Sequence, residues 1–298
     1  MCNNRPKAWR KTVVGAIVRG SAAFVLAAML SDGRAVADPV ALVATQAPNP
    51  VSSFTLEFDF GAFVETVSAR ISQTDFELEI DAELGTAQFA QYKQHIDPLI
   101  LPGGFSTGNI RVEVVPGTSA GMLNVLTGEF TTEESYAVYF DGDLSAFHLT
   151  SPVVLPSNSA GTVKLSALSG GEVLMAWAGT SQLLNPFDPS AAISFKYTCE
   201  VTADFAPEPV TLLELALIPK VVNLIIPLRL ETNLLNILDK ALNFINANRE
   251  LKAAITLGHF ISVVESQRGR SISVADADAL VSDAEATVVL LRASVISK

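Results

Sequence analysis

Between Ser53 and Phe205, apolar and polar side chains alternate with a period of two. Phe54, Leu56 and Phe58 are interleaved with Thr55, Glu57 and Asp59. Phe76, Leu78, Ile80, Ala82 and Leu84 alternate with Glu77, Glu79, Asp81 and Glu83, and Ile110, Val112 and Val114 with Arg111 and Glu113. One apolar and one polar row per segment predicts half-buried antiparallel strands. Residues 137–140, 162–167, 172–178 and 193–202 are further strand candidates. Pro102-Gly103-Gly104, Pro116-Gly117, Thr127-Gly128-Glu129, Asp141-Gly142-Asp143 and Gly170-Gly171 supply the turns between them. Many short strands at this spacing predict an all-β antiparallel sandwich over residues 54–205, with a jelly-roll among the arrangements allowed.

After Pro207-Glu208-Pro209 the period changes to 3.6. Leu235, Leu238, Leu242 and Ile245 fall on one helical face. So do Leu251, Ala254, Leu257, Ile261 and Val264, and then Ala277, Leu280, Ala284, Val288 and Leu291. Asn246-Ala247-Asn248 and Arg268-Gly269-Arg270 separate the runs, and Ser273 followed by Asp276 has the spacing of a capping box. A small α-helical bundle over residues 231–298 is expected. Residues 206–230 read as a proline-containing linker and a broken amphipathic helix. Glu214, Lys220, Asn223, Pro219 and Pro227 make that stretch a poor membrane span.

The N-terminus follows neither pattern. Arg5, Lys7, Arg10, Lys11 and Arg19 precede the run AAFVLAAML (residues 22–30), and Ala35-Val36-Ala37 follows it. A basic start, a short apolar run and an A-x-A site are the marks of a secretory signal peptide. Nine apolar residues are too few for a bilayer span, which needs about 20. Residues 1–37 are therefore expected to be removed by cleavage after Ala37, with residues 38–53 as an N-terminal linker. The expected location is extracellular or at the cell surface.

Composition narrows the function classes. The chain of 298 residues is 49% hydrophobic and 17% charged, with a formal net charge of −11. Without residues 1–37, 14 basic residues face 30 acidic ones, a net charge of −16, all of it within residues 38–209. A disordered chain would be more polar, and a nucleic-acid binder would present a basic face. Only Cys199 and Trp177 remain of their kinds after Ala37. A lone thiol in a strand pattern is expected to be buried.

The order Glu231-Thr232-Asn233-Leu234-Leu235-Asn236-Ile237-Leu238-Asp239-Lys240-Ala241-Leu242, Leu251-Lys252-Ala253-Ala254-Ile255, Phe260-Ile261, Glu265-Ser266-Gln267-Arg268-Gly269 and Ala275-Asp276-Ala277-Asp278-Ala279-Leu280 resembles the FIMAH-type helical module. That module is appended to the C-termini of secreted bacterial proteins. The resemblance covers about residues 210–293 and implies an accessory element with no catalytic residues to carry over. Pro219 departs from the pattern, and the chain is about one residue short between Ile255 and Phe260. The β half resembles domains of uncharacterised secreted bacterial proteins, without a motif that assigns a function.

Candidate chemistry is sparse. Gly117-Thr118-Ser119-Ala120-Gly121 matches the G-x-S-x-G nucleophile elbow, but a strand and turn follow where the elbow needs a helix. His95, His148 and His259 lack metal-ligand spacing. Asp141 and Asp143 flank a glycine and are the candidate Ca²⁺ ligands. The acidic row Asp75, Glu77, Glu79, Asp81 and Glu83 reads either as a hard-ion surface or as a solvated strand face. Trp177, in an apolar strand, is expected in the core. Tyr136 and Tyr139 point to opposite faces and cannot form one sugar platform.

The expected function is that of an exported, non-catalytic interaction or structural protein. Its partner is unidentified and belongs to the envelope or the extracellular space. A glycan- or Ca²⁺-binding module is the alternative, and a serine hydrolase using Ser119 a remote one. No cofactor is expected apart from Ca²⁺. The exported protein should begin at Asp38; an intact mass retaining any of residues 1–37 would contradict the signal-peptide assignment.

Overall fold

Where a strand buries one face, its alternation has to match the ladder of its neighbours, and the ladders here close on themselves. The computed structural model describes residues 39–48, 52–166, 170–186 and 188–296, so the expected signal peptide lies outside the described residues. Among them are twelve strands: β1 (Val40–Gln46), β2 (Ser53–Asp59), β3 (Val64–Asp81), β4 (Thr86–Ile96), β5 (Ile100–Leu101), β6 (Phe105–Ser106), β7 (Ile110–Val114), β8 (Ala120–Asn124), β9 (Glu129–Phe140), β10 (Val153–Ser166), β11 (Gly170–Asn185) and β12 (Asp188–Phe205).

β1 and β2 lie in line with each other, both antiparallel to β3 on one side and to β12 on the other. β7 and β8 share the slot between β4 and β9 in the same way. β3 pairs with β4, β9 with β10, β10 with β11 and β11 with β12, all antiparallel. The ring therefore has eight strand positions, each joined to the next along the chain. The antiparallel β half and the helical C-terminal part are found as expected. Among the described residues the two packed sheets of a sandwich or jelly-roll are not: the ladder runs through one ring that closes where β12 meets β1 and β2. Closure also removes the free edges that an open sheet must protect. The segment expected as a linker supplies β1, whose Val40, Leu42 and Ala44 are buried. Ala41 and Val43 on its outer face had blurred the alternation.

The interior of an eight-strand barrel is just wide enough to be filled by side chains. Trp177 fills it here, 1% exposed, with ring centroids 4.9 Å from Tyr136, 5.7 Å from Phe54 and 5.9 Å from Tyr197. Its Nε1 donates to Tyr92 Oη at 3.0 Å. The outward row of β3 carries Asp75, Glu77 and Glu79, while its inward row is Phe76, Leu78 and Ile80. That is the reverse of a membrane-spanning barrel, whose outer face is apolar.

The 97–109 and 141–152 loops plug the upper end, where Leu99, Leu101, Leu144 and Phe147 join the core and Phe105 meets Phe147 edge-on at 5.2 Å. The lower end is covered by helices. The first, α1, combines Pro209–Leu212, a π-helical turn Leu213–Leu217 and Ile218–Val222. Pro219 lacks an N–H and crowds the carbonyl four residues back, and the widened π turn accommodates both. Leu213, Leu217 and Val221 then face the helical core, while Val210 and Leu215 pack against the barrel core.

α2 (Leu228–Asn246), α3 (Glu250–Gln267) and α4 (Val274–Ile296) follow. The breaks and the capping box stand where the sequence put them: Ser273 Oγ accepts from Asp276 N–H at 3.1 Å. Two stripes are displaced. In α2 the fully buried positions are Leu234, Ile237, Leu238 and Ala241, and in α3 Leu251 is 61% exposed while Ala253 and Phe260 are buried. The apolar face of α2 is broad, and Leu235, Leu242 and Ile245 pack half-buried at its side against the helical core. By contrast, α3 is apolar on more than one side, so spacing alone did not fix its buried face. Pro39–Lys298 forms one compact unit with two apolar cores.

Inside the barrel, Gly179 has no room for a side chain, because a Cβ there would overlap the Tyr197 hydroxyl, which is held by the Pro156 carbonyl. Gly179→Ala should cost about 1–3 kcal/mol by overpacking. Thermal unfolding is expected to fall by several degrees, and an unchanged Tm would contradict this packing.

Candidate binding cleft

The candidate groups from the sequence separate once placed. Ser119 sits in the 115–119 gap between β7 and β8, 9% exposed, and its Oγ accepts from Phe89 N–H at 2.8 Å. β4 bulges beside it: Gln91 faces Glu77 and Phe89 faces Leu78, so Ala90 is the extra residue. The hydroxyl thus serves a backbone donor that the interrupted ladder leaves over. His95 lies on β4, His148 closes the 3₁₀ turn Ser145–Phe147 with φ 54°, and His259 is exposed on α3. None is among the hydrogen-bond partners of Ser119.

The acidic row of β3 is matched by glutamines. Gln91 Nε2 donates to Glu77 at 3.1 Å, Gln88 Nε2 to Glu79 at 2.6 Å and Gln73 Nε2 to Asp75 at 2.5 Å. Asp81 Oδ1 accepts from the N–H groups of Glu83 and Leu84 and shapes the turn after β3. Asp143 Oδ1 accepts from Ser145 N–H at 3.0 Å, and bonds to Ser145 lower its pKa. Asp141 Oδ2 accepts from Asn109 Nδ2 at 3.4 Å. Among the described residues no group of three or more His, Cys, Asp or Glu is placed to share a metal ion.

Cys199 is buried, as its strand pattern predicts, and receives a bond from Gln94 Nε2 at 3.3 Å; burial pushes its thiol up to about 12. Such a thiol is a poor nucleophile at neutral pH. Tyr136 faces inward and Tyr139 lies under the Arg111 guanidinium at 4.3 Å, on the opposite faces expected.

Glu134 is a residue the sequence reading missed. It belongs to the inward row of β9 and is 4% exposed. Ser159 Oγ donates to its Oε1 at 2.5 Å, while its Oε2 and the neighbouring Thr132 Oγ1 are buried with no partner among the described residues. Burial raises its pKa, and Ser159 only partly offsets this. The signal in the sequence was the pair Glu133-Glu134, of which period two must turn one inward.

Concave apolar surface lies at the lower rim of the barrel. A cleft of about 510 Å³ is walled on the barrel side by Leu123, Val125, Leu126 and Val163. On the helical side it is walled by Leu215, Ala216 and Pro219 of α1, by Leu224 just after it, and by Ala279 and Leu280 of α4. The π turn contributes Leu215 and Ala216 to this wall. Gly128 lets the β8–β9 turn approach β10: its φ is +73°, its carbonyl accepts from Val163 N–H at 2.9 Å, and a Cβ would strike the Val163 carbonyl. Lys164, Lys220, Asn223 and Asp276 give the cleft its polar groups. Lys164 pairs with Glu172 at 3.2 Å, and Lys220 pairs with Asp283, tying α1 to α4.

No family model matches the chain, and no curated protein matches it. Among the described residues no helix is long and apolar enough to cross a membrane.

Because folding raises the proton affinity of Glu134, the native state keeps a proton over a pH window in which the unfolded chain has lost it. The corresponding stability is full below the unfolded carboxyl pKa and is lost as pH rises through the folded value. Glu134→Gln removes that titration. Urea unfolding between pH 4 and 8 should show a shallower decline for Glu134→Gln, with the variant at least as stable as the parent at pH 8. Equal slopes would contradict the raised pKa.

Proposed function

We propose that the chain is an exported bacterial protein that works by binding and not by turnover. The observation that carries this reading is the commitment of the reactive candidates to structural bonds. Ser119 serves a backbone N–H, Cys199 is buried with its thiol pushed up, and the carboxylates of β3 are held by glutamines. A nucleophile needs a base within hydrogen-bond reach; Ser119 Oγ accepts from Phe89 N–H, and none of His95, His148 and His259 is bonded to it. Export rests on the basic start, apolar run and A-x-A site at the N-terminus.

We assign the C-terminal helices to the FIMAH-type modules on their residue order, with the breaks after α2 and α3 in support. In this reading the helices close the lower end of the barrel and, with it, form the cleft through which the protein binds.

The test is turnover on a panel of p-nitrophenyl esters, p-nitrophenyl glycosides and casein. The parent is expected to match the blank. Ser119→Ala should lose about 1–3 kcal/mol of stability by orphaning Phe89 N–H, without changing that result. Turnover by the parent that Ser119→Ala abolishes would overturn the non-catalytic reading.

A further inference from the structure

The space inside the barrel is filled, and the cleft at its lower rim is where two separately built cores leave an apolar hollow between them. Its walls come from the β8–β9 turn, from β10 and from the π turn of α1, so a chain entering it is covered by carbon on both sides. Its volume, about 510 Å³, is within the range of about 300–1,000 Å³ found for small-molecule sites. Leu126, 55% exposed, stands at this hollow with an apolar side chain toward solvent.

Two ammonium donors stand at the hollow, each beside an acid partner. They belong to Lys164 and Lys220, and Asp276 is a carboxylate in the same lining. Each lysine is held by one acid, Lys164 by Glu172 and Lys220 by Asp283. An ammonium has three donors, so both can hold these acids and still donate to an incoming anion.

We propose that this cleft binds a single-chain carboxylate amphiphile, with the hydrocarbon chain between barrel rim and helices and the carboxylate at Lys164 and Lys220. The assignment rests on the non-catalytic reading and adds the ligand class to it.

The purified protein is titrated calorimetrically with hexanoate, octanoate and decanoate, each below its self-association concentration. Saturable 1:1 binding is expected, tightening about fourfold per added methylene. Decanol and decylammonium, with the same chain, should bind several-fold more weakly than decanoate. Ala279→Trp, at an exposed position that lines the cleft, should abolish decanoate binding while leaving Tm and the circular-dichroism spectrum unchanged. Lys164→Glu should weaken decanoate several-fold and leave decanol unaffected.

No saturable binding, equal affinity for the three head groups, or undiminished binding in Ala279→Trp would each overturn the proposal. If Ala279→Trp is itself destabilised, Lys164→Glu decides alone. The same samples are read by NMR after incubation. Unchanged decanoate leaves the non-catalytic reading intact whatever the affinity, and a product defeats that reading whether or not the cleft is the site.

Discussion

Closing eight antiparallel strand positions into a ring satisfies the backbone ladder all the way round, and it leaves an interior that side chains have to fill. Trp177 does most of this. From β11 it reaches Phe54 on β2, Tyr136 on β9 and Tyr197 on β12, and its indole N–H ends on Tyr92 of β4. One residue thus meets strands on opposite sides of the ring. The space it takes dictates its surroundings: Gly179, next on the same inward row, has no side chain because the Tyr197 hydroxyl occupies that room. A packed interior of this kind is felt by a change of a single methyl group.

The same closure sets the terms for polar groups inside. Gln94, Thr74 and Cys199 meet one another through weak bonds of 3.3 Å, and Trp177 and Tyr92 satisfy each other. Glu134 and Thr132, neighbours on the inward row of β9, are less well served: Glu134 has one oxygen engaged by Ser159, while its Oε2 and Thr132 Oγ1 are buried without a partner among the described residues. Burial of the carboxyl of Glu134 is the main cause of its raised pKa, and the hydrogen bonds around it, from Ser159 first, offset that only in part.

Much of this architecture was legible in the sequence where one period holds over a whole element. The inward rows at Phe76, Leu78 and Ile80, at Ile110, Val112 and Val114, and at Trp177 are found as the alternation predicts, and so are the capping box at Ser273 and the break before α2. The losses have local causes. β4 was missed because its bulge at Ala90 shifts the buried phase from Ala87 and Phe89 to Tyr92, Gln94 and Ile96. β1 was missed because its outer row is also apolar. Ring closure was not legible, since it depends on β12 returning to β1 and β2 across some 140–160 residues. The cleft was not legible for the same reason: the β8–β9 turn, β10, α1 and α4 become neighbours only in the folded chain.

The placement of the cleft follows from the two cores. A barrel rim and a helix pair are both convex, and two convex surfaces meet along a line and part on either side of it. Val210 and Leu215 occupy the line of contact, packed into the barrel core. Where the surfaces part, Ala216, Pro219 and Ala279 are too small to span the gap, and the hollow remains. The ion pair from Lys220 to Asp283 bridges α1 and α4 beside it. The helices are therefore more than a cover for the open end: their small residues leave the space, and their Lys220, paired with Asp283, brings an ammonium donor to its wall.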